Sequence, residues 1–268
     1  MTSVTPEPPA ASLLVHSTTL CAFVAMKRCH VPTIDVRYWT AITLASIFGT
    51  NLGDFYAHES GLGLIGGLPI LVLLFACIYL AERFDGLSHD AYYWLCIIVM
   101  RTGATNIADY LAGRRGLNID RLTLSIGLGL VLAALAWWSV AAGRKAREQT
   151  LVKSLPDTDV RYWLAMLTAG VFGTVLGDYI QEVFGQGMGT AIFSVVLVLA
   201  LLVYSRPIMR AAYAYWLVIG VARTTGTAIG DWFAESKLLK LGLPLSTLLT
   251  GLAFITVLVL WRNRQPPD

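Results

Sequence analysis

Four aspartates of this chain sit in the same local pattern, and the pattern carries oxygen ligands. Asp54, Asp109, Asp178 and Asp231 each follow a threonine by four residues, namely Thr50, Thr105, Thr174 and Thr227. On a helix that spacing leaves the two side chains about 40° apart, so both face the same way. Hard cations take their ligands from carboxylates, carbonyls and hydroxyls, and rings of acidic residues select cations in pores. Four such helices converging on one axis would present up to eight oxygen-bearing side chains at one level. Four carboxylates at close range also repel, so a bound cation or a bound proton must relieve them.

Arg101 and Arg223 stand eight residues before the second and fourth of these aspartates. They admit two roles. They pair with carboxylates of neighbouring helices, or two guanidinium groups clamp an organic anion between them. A third reading makes the whole network structural, with each Asp hydrogen-bonded to a Tyr, Trp or Thr nearby and each Thr bonded to its own helix backbone.

What positions these residues is a fourfold repeat. Tyr38-Trp39, Tyr93-Trp94, Tyr162-Trp163 and Tyr215-Trp216 open the four copies, and each Trp precedes its Asp by fifteen positions. A small residue stands five before each Asp (Gly49, Ala104, Gly173, Gly226) and another directly before it (Gly53, Ala108, Gly177, Gly230); an aromatic follows. Small residues one turn apart let a neighbouring backbone come close. The segment Asp35-Val36-Arg37-Tyr38-Trp39 returns as Asp159-Val160-Arg161-Tyr162-Trp163, ahead of the first and third copies only. The chain therefore reads as two halves, 35–142 and 159–262, joined by a polar linker 143–158, with a leader 1–34 and a tail 263–268.

The copies lie in apolar stretches. Hydrophobic residues make up 56% of the 268 and charged residues 14%, with a net charge of +3, where soluble domains carry about 25% charge. Apolar runs of membrane-spanning length fall near 38–57, 62–81, 92–112, 122–142, 162–181, 187–205, 213–233 and 243–261. The fold expected is an all-α integral membrane protein of eight transmembrane helices, arranged as four parallel two-helix repeats with pseudo-twofold halves. Here the sequence resembles a bacterial family of membrane proteins built from four tandem repeats of two transmembrane helices, each with a characteristic Trp. The resemblance covers about residues 35 to 262 and rests on Trp39, Trp94, Trp163, Trp216 and the Asp-ended motifs. It implies architecture and location, the bacterial inner membrane, and little chemistry.

Counting Lys and Arg on the two sides of these spans gives thirteen against five, which places both termini in the cytoplasm. Each Asp then lies about 22 Å from its Trp along the helix axis, toward the outer leaflet. The four tryptophans are expected as anchors at the inner membrane interface.

Other chemistry is absent from the sequence. Cys21, Cys29, Cys77 and Cys96 form no C-x-x-C pair, and His16, His30, His58 and His89 follow no metal-protease pattern. There is no nucleophile elbow and no phosphate loop, and no basic stripe for nucleic acid. The expectation is a non-enzymatic, cofactor-free protein whose partners are the lipid bilayer and a small cation or proton. Transport of such a cation, or of a proton-coupled substrate, is the leading reading. A non-transporting scaffold and an organic-anion transporter are the alternatives.

Overall fold

The computed structural model describes residues 31–85, 90–147, 158–206 and 212–262, and every regular element among them is helical. The eight long helices are α1 (Val36–Glu59), α2 (Leu68–Phe84), α3 (Asp90–Ala112), α4 (Arg121–Arg147), α5 (Val160–Phe184), α6 (Gln186–Ser205), α7 (Ala212–Glu235) and α8 (Gly242–Arg262). A single helical turn, Gly63–Gly66, leads into α2. Each expected span corresponds to one helix, with ends shifted by a few residues. Most of the leader and the linker, and all of the tail, lie outside the described residues.

The second-level repeat has a local cause. Asp35 and Asp159 are helix N-caps: their carboxylates accept the backbone N–H of Tyr38 at 3.0 Å and of Tyr162 at 2.9 Å. This satisfies one of the free donors that a helix start leaves. Arg37 and Arg161 then reach back to these same carboxylates, at 3.9 and 3.6 Å. The Asp-x-Arg-Tyr-Trp segment is therefore the start signal of α1 and α5. Asp120 does the same work for α4, accepting from both the backbone N–H and the hydroxyl of Thr123 at 2.8 Å, and these bonds hold its carboxyl below the ordinary range.

The motif helices form the interior. α1 packs on α3, α3 on α5, α5 on α7, and α7 back on α1, while α2, α4, α6 and α8 lie outside against α3, α5, α7 and α1. The paired small residues make the inner contacts. A methyl group added at Gly173 would lie 2.7 Å from the Arg223 carbonyl carbon and 2.8 Å from the Thr224 nitrogen; one at Gly53 would lie 2.7 Å from Thr105 Cβ. Gly230 faces Asn51 and Thr50, and Ala104 faces Gly170. The small face of each inner helix thus receives the backbone of the next, as small-xxx-small spacing allows.

The outer helices are apolar and unpartnered on one side. Ile70, Val72 and Leu73 of α2, Val198 and Leu202 of α6, and Leu248 and Ile255 of α8 are all at least half exposed. Among the described residues five helical segments are long and apolar enough to cross a membrane: Gly63–Glu82, Arg121–Ala141, Val160–Phe184, Gln186–Ser205 and Gly242–Leu260. α1, α3 and α7 are less apolar because they carry Thr, Asn, Arg and Asp, which they turn toward one another instead of outward.

Candidate functional site

The inner helices stack their side chains in tiers, because every fourth residue returns to nearly the same face and rises about 6 Å. Sixteen residues before the aspartates stand Tyr38, Tyr93, Tyr162 and Tyr215. Their hydroxyls close a ring of four hydrogen bonds: 2.8 Å from Tyr38 to Tyr93, 2.7 Å from Tyr93 to Tyr162, 2.9 Å from Tyr162 to Tyr215 and 2.7 Å from Tyr215 to Tyr38. In such a ring every hydroxyl gives one bond and accepts one. Each tryptophan packs edge-on against its own Tyr and tilts onto the preceding copy's Tyr, with ring centroids 5.1 to 5.9 Å apart.

The expectation for the tryptophans needs correction here. Trp39, Trp94, Trp163 and Trp216 are 3 to 7% exposed, so they do not present their rings at a membrane surface. They are wedges between tyrosines, and aromatic pairing in offset and edge-on geometry explains why each copy carries both residues.

Four residues further on, Ile42, Ile97, Met166 and Ile219 form a dry tier, each at most 1% exposed. The next tier is Ser46, Arg101, Gly170 and Arg223. Two arginines fit because the two intervening positions are small. Their side chains leave the tier in opposite senses. Arg223 donates to Ser46 Oγ at 3.1 Å and to Met166 Sδ at 3.7 Å, on the tyrosine side. Arg101 turns toward the threonines.

All four repeat threonines accept from Arg101. Its Nη2 donates to Thr50 and Thr227, both at 2.6 Å; its Nη1 donates to Thr174 at 2.8 Å, to Thr105 at 3.2 Å and to the Gly170 carbonyl at 3.3 Å. Each threonine hydroxyl spends its own proton on the carbonyl four residues back, at 2.9 Å for Thr50 and 3.3 Å for the other three. The clamp fastens four helices to one guanidinium and closes the axis. Each threonine oxygen thus already accepts from Arg101, and one lone pair is what it has left for a cation beside its Asp.

The aspartates form the next tier, and there the bundle opens into a cavity of about 760 Å³ lined by Asp54, Asp109, Asp178 and Asp231, with Thr50, Thr105 and Thr174 at its base. Asp231 accepts from Gln181 Nε2 at 2.7 Å. Asp54, Asp109 and Asp178 have no hydrogen bond or ion pair among the described residues. Neither arginine of the lower tier lines this cavity, and the two guanidiniums point away from each other, so they do not converge on one anion. Among the described residues no three His, Cys, Asp or Glu side chains are grouped closely enough to hold a metal ion.

The outer wall was not visible in the repeat. His58, Glu182 and Glu235 line the cavity one turn beyond the aspartates, with Gln181, Arg114, Arg115 and Arg121. Arg121 pairs with Glu182 at 2.7 Å, and Gln186 donates to Glu235 at 2.5 Å. These positions differ from copy to copy, so a search for repeated residues passes over them; their spacing of three or four after an Asp was the available signal.

Comparison with known proteins adds a family match. A family model described as Repeat of Unknown Function (DUF347) matches residues 37–84 and 214–265, which cover the first and last helix pairs. No curated protein and no solved structure matches the chain.

Proposed function

We propose that this chain is an eight-span protein of a bacterial inner membrane, with four parallel two-helix repeats, cytoplasmic termini, and a cation transport pathway along its axis. The exposed apolar faces of α2, α6 and α8 support the membrane reading, because hydrocarbon is the solvent in which such faces cost nothing. The observation that carries the transport reading is the set of carboxylates of Asp54, Asp109 and Asp178, without a partner among the described residues, around a cavity open at one end. Carboxylates within a membrane normally face water or a partner and mark ion or proton pathways.

The same axis is shut below that cavity, which suits alternating access. A cation in the aspartate tier sits one tier from Arg101, and two unit charges roughly 6 Å apart repel by about 3 kcal/mol at an effective dielectric of 20. A bound cation also takes over the carboxylates whose field holds the guanidinium in place. Loading the outer site therefore weakens the clamp, and leaving the clamp would open the lower tiers. A proton-coupled substrate is served by the same carboxylates in their protonated form.

A scaffold role is favoured by one specific feature: the tyrosine ring and the Arg101 clamp are closed networks that fasten four helices together. The two readings part on the aspartates. A deletion strain is to be complemented with wild type and with Asp54→Asn combined with Asp178→Asn, reading growth under cation stress and cellular cation content. Transport predicts that the double variant behaves as the empty vector at wild-type abundance; full complementation would leave only the scaffold.

A further inference from the structure

We propose that the ligand of the acidic cavity is a linear diamine or polyamine, with one ammonium group among the aspartates and a second at Glu235. This rests on the cavity being a cation site, and it narrows the class of cation. Calcium takes six to eight oxygens at about 2.3 to 2.6 Å, and among the described residues no three His, Cys, Asp or Glu side chains are grouped to provide a core for that shell. The cavity of about 760 Å³ instead falls in the range of sites that hold small organic molecules, roughly 300 to 1,000 Å³.

Its acidic groups lie in two tiers. Glu182 and Glu235 follow Asp178 and Asp231 by four residues, which puts the outer carboxylates about 6 Å beyond the inner ones along the helices. The outer pair is unequal. Glu182 is neutralised by Arg121 at 2.7 Å, whereas among the described residues Glu235 accepts from the neutral amide of Gln186 alone. Glu235 is therefore the outer carboxylate with charge to spare. Leu64, Ala234 and Leu243 also line the cavity and offer apolar surface to a methylene chain.

A second observation points to a donor-bearing ligand independently of the carboxylates. Gln181 is 8% exposed, it lines the cavity, and its Oε1 has no hydrogen-bond partner among the described residues while its Nε2 is spent on Asp231. A buried carbonyl left without a donor costs free energy, and an ammonium N–H supplies one. Charge points the same way. With all six carboxylates ionised, as a bound dication would hold them, they face three arginines across the cavity and Arg101 beneath, an excess of two negative charges. A dication balances them.

The test is calorimetric titration of the purified full-length protein in detergent with 1,4-diaminobutane, 1-aminobutane and magnesium chloride. The diamine is expected to bind at least tenfold more tightly than the monoamine, and more tightly than magnesium. Glu235→Gln, at an exposed position that tolerates the change, should remove that tenfold advantage and leave monoamine binding unaltered, since one charge-assisted hydrogen bond is worth roughly this factor. Equal binding of the two amines, preference for magnesium, or an unchanged diamine affinity in Glu235→Gln overturns the proposal and leaves the cation site standing. Binding of none of the three removes both.

Discussion

Replacing Thr50 and Thr227 together by Val should destabilise the protein more than replacing Arg101 itself. Valine keeps the shape of threonine but offers no acceptor, so Arg101 Nη2 loses both of its partners, each now at 2.6 Å. Arg101 is 1% exposed, and although its Nη1 keeps Thr174, Thr105 and the Gly170 carbonyl, each buried donor left unpaired on Nη2 costs about 1 to 3 kcal/mol. Arg101→Met removes the charge and its needs together. The threonine hydroxyls then still donate to the carbonyls behind them, and apolar replacement of a buried charged group is often close to neutral. The order expected in thermal unfolding in detergent is therefore wild type, then Arg101→Met, then Thr50→Val with Thr227→Val. Adding Arg101→Met to the double variant should recover most of the loss. If Arg101→Met is the most damaging change and rescues nothing, the guanidinium is not what the threonines serve.

The second large effect is at the tyrosine ring. Tyr162 is 0% exposed; it bonds to Tyr93 and Tyr215 and packs against Trp163 and Trp216 at 5.3 and 5.5 Å between ring centroids. Tyr162→Ala removes the ring and both bonds, for a loss of about 3 to 5 kcal/mol from the cavity alone. Tyr162→Phe keeps the ring and breaks the hydroxyl circuit, leaving a neighbouring hydroxyl with an unmatched group, at about 1 to 3 kcal/mol. Four Phe together should cost much less than four times one Phe, since no hydroxyl is then left unmatched. Additive losses in unfolding midpoints would mean that the hydroxyls act singly and not as a circuit.

Most of the architecture was legible because the chain repeats itself. Once the four Asp-ended motifs are aligned, a period of four residues on a helix puts Tyr, Ile or Met, Arg, Thr and Asp into successive tiers, and the small residues between them state that backbones approach closely. What the alignment could not give was the direction in which a long side chain leaves its tier. Arg101 and Arg223 occupy equivalent positions, yet one reaches forward to the threonines and the other back toward Met166. That choice depends on which neighbours have room, and Ser46 and Gly170 provide it. The Tyr-Trp pairs looked like interface anchors because an aromatic pair at a helix start usually is one in a membrane; here four copies find each other first. Glu235 and Gln181 stayed hidden for the opposite reason, since nothing at those positions recurs in all four copies.

The axis is open to the aspartates and closed below them, and substituted-cysteine accessibility in intact membranes measures that directly. In a background with Cys21, Cys29, Cys77 and Cys96 changed to Ser, Asp54→Cys should react with a water-soluble, charged thiol reagent applied from one side of the membrane. In cation-free buffer, where the clamp holds, Ile42→Cys, at a position that is 0% exposed between the arginine and tyrosine tiers, should stay unreactive from either side. An Ile42→Cys that reacts as readily as Asp54→Cys, or an Asp54→Cys that reacts from neither side, would contradict the closed axis and the open vestibule respectively.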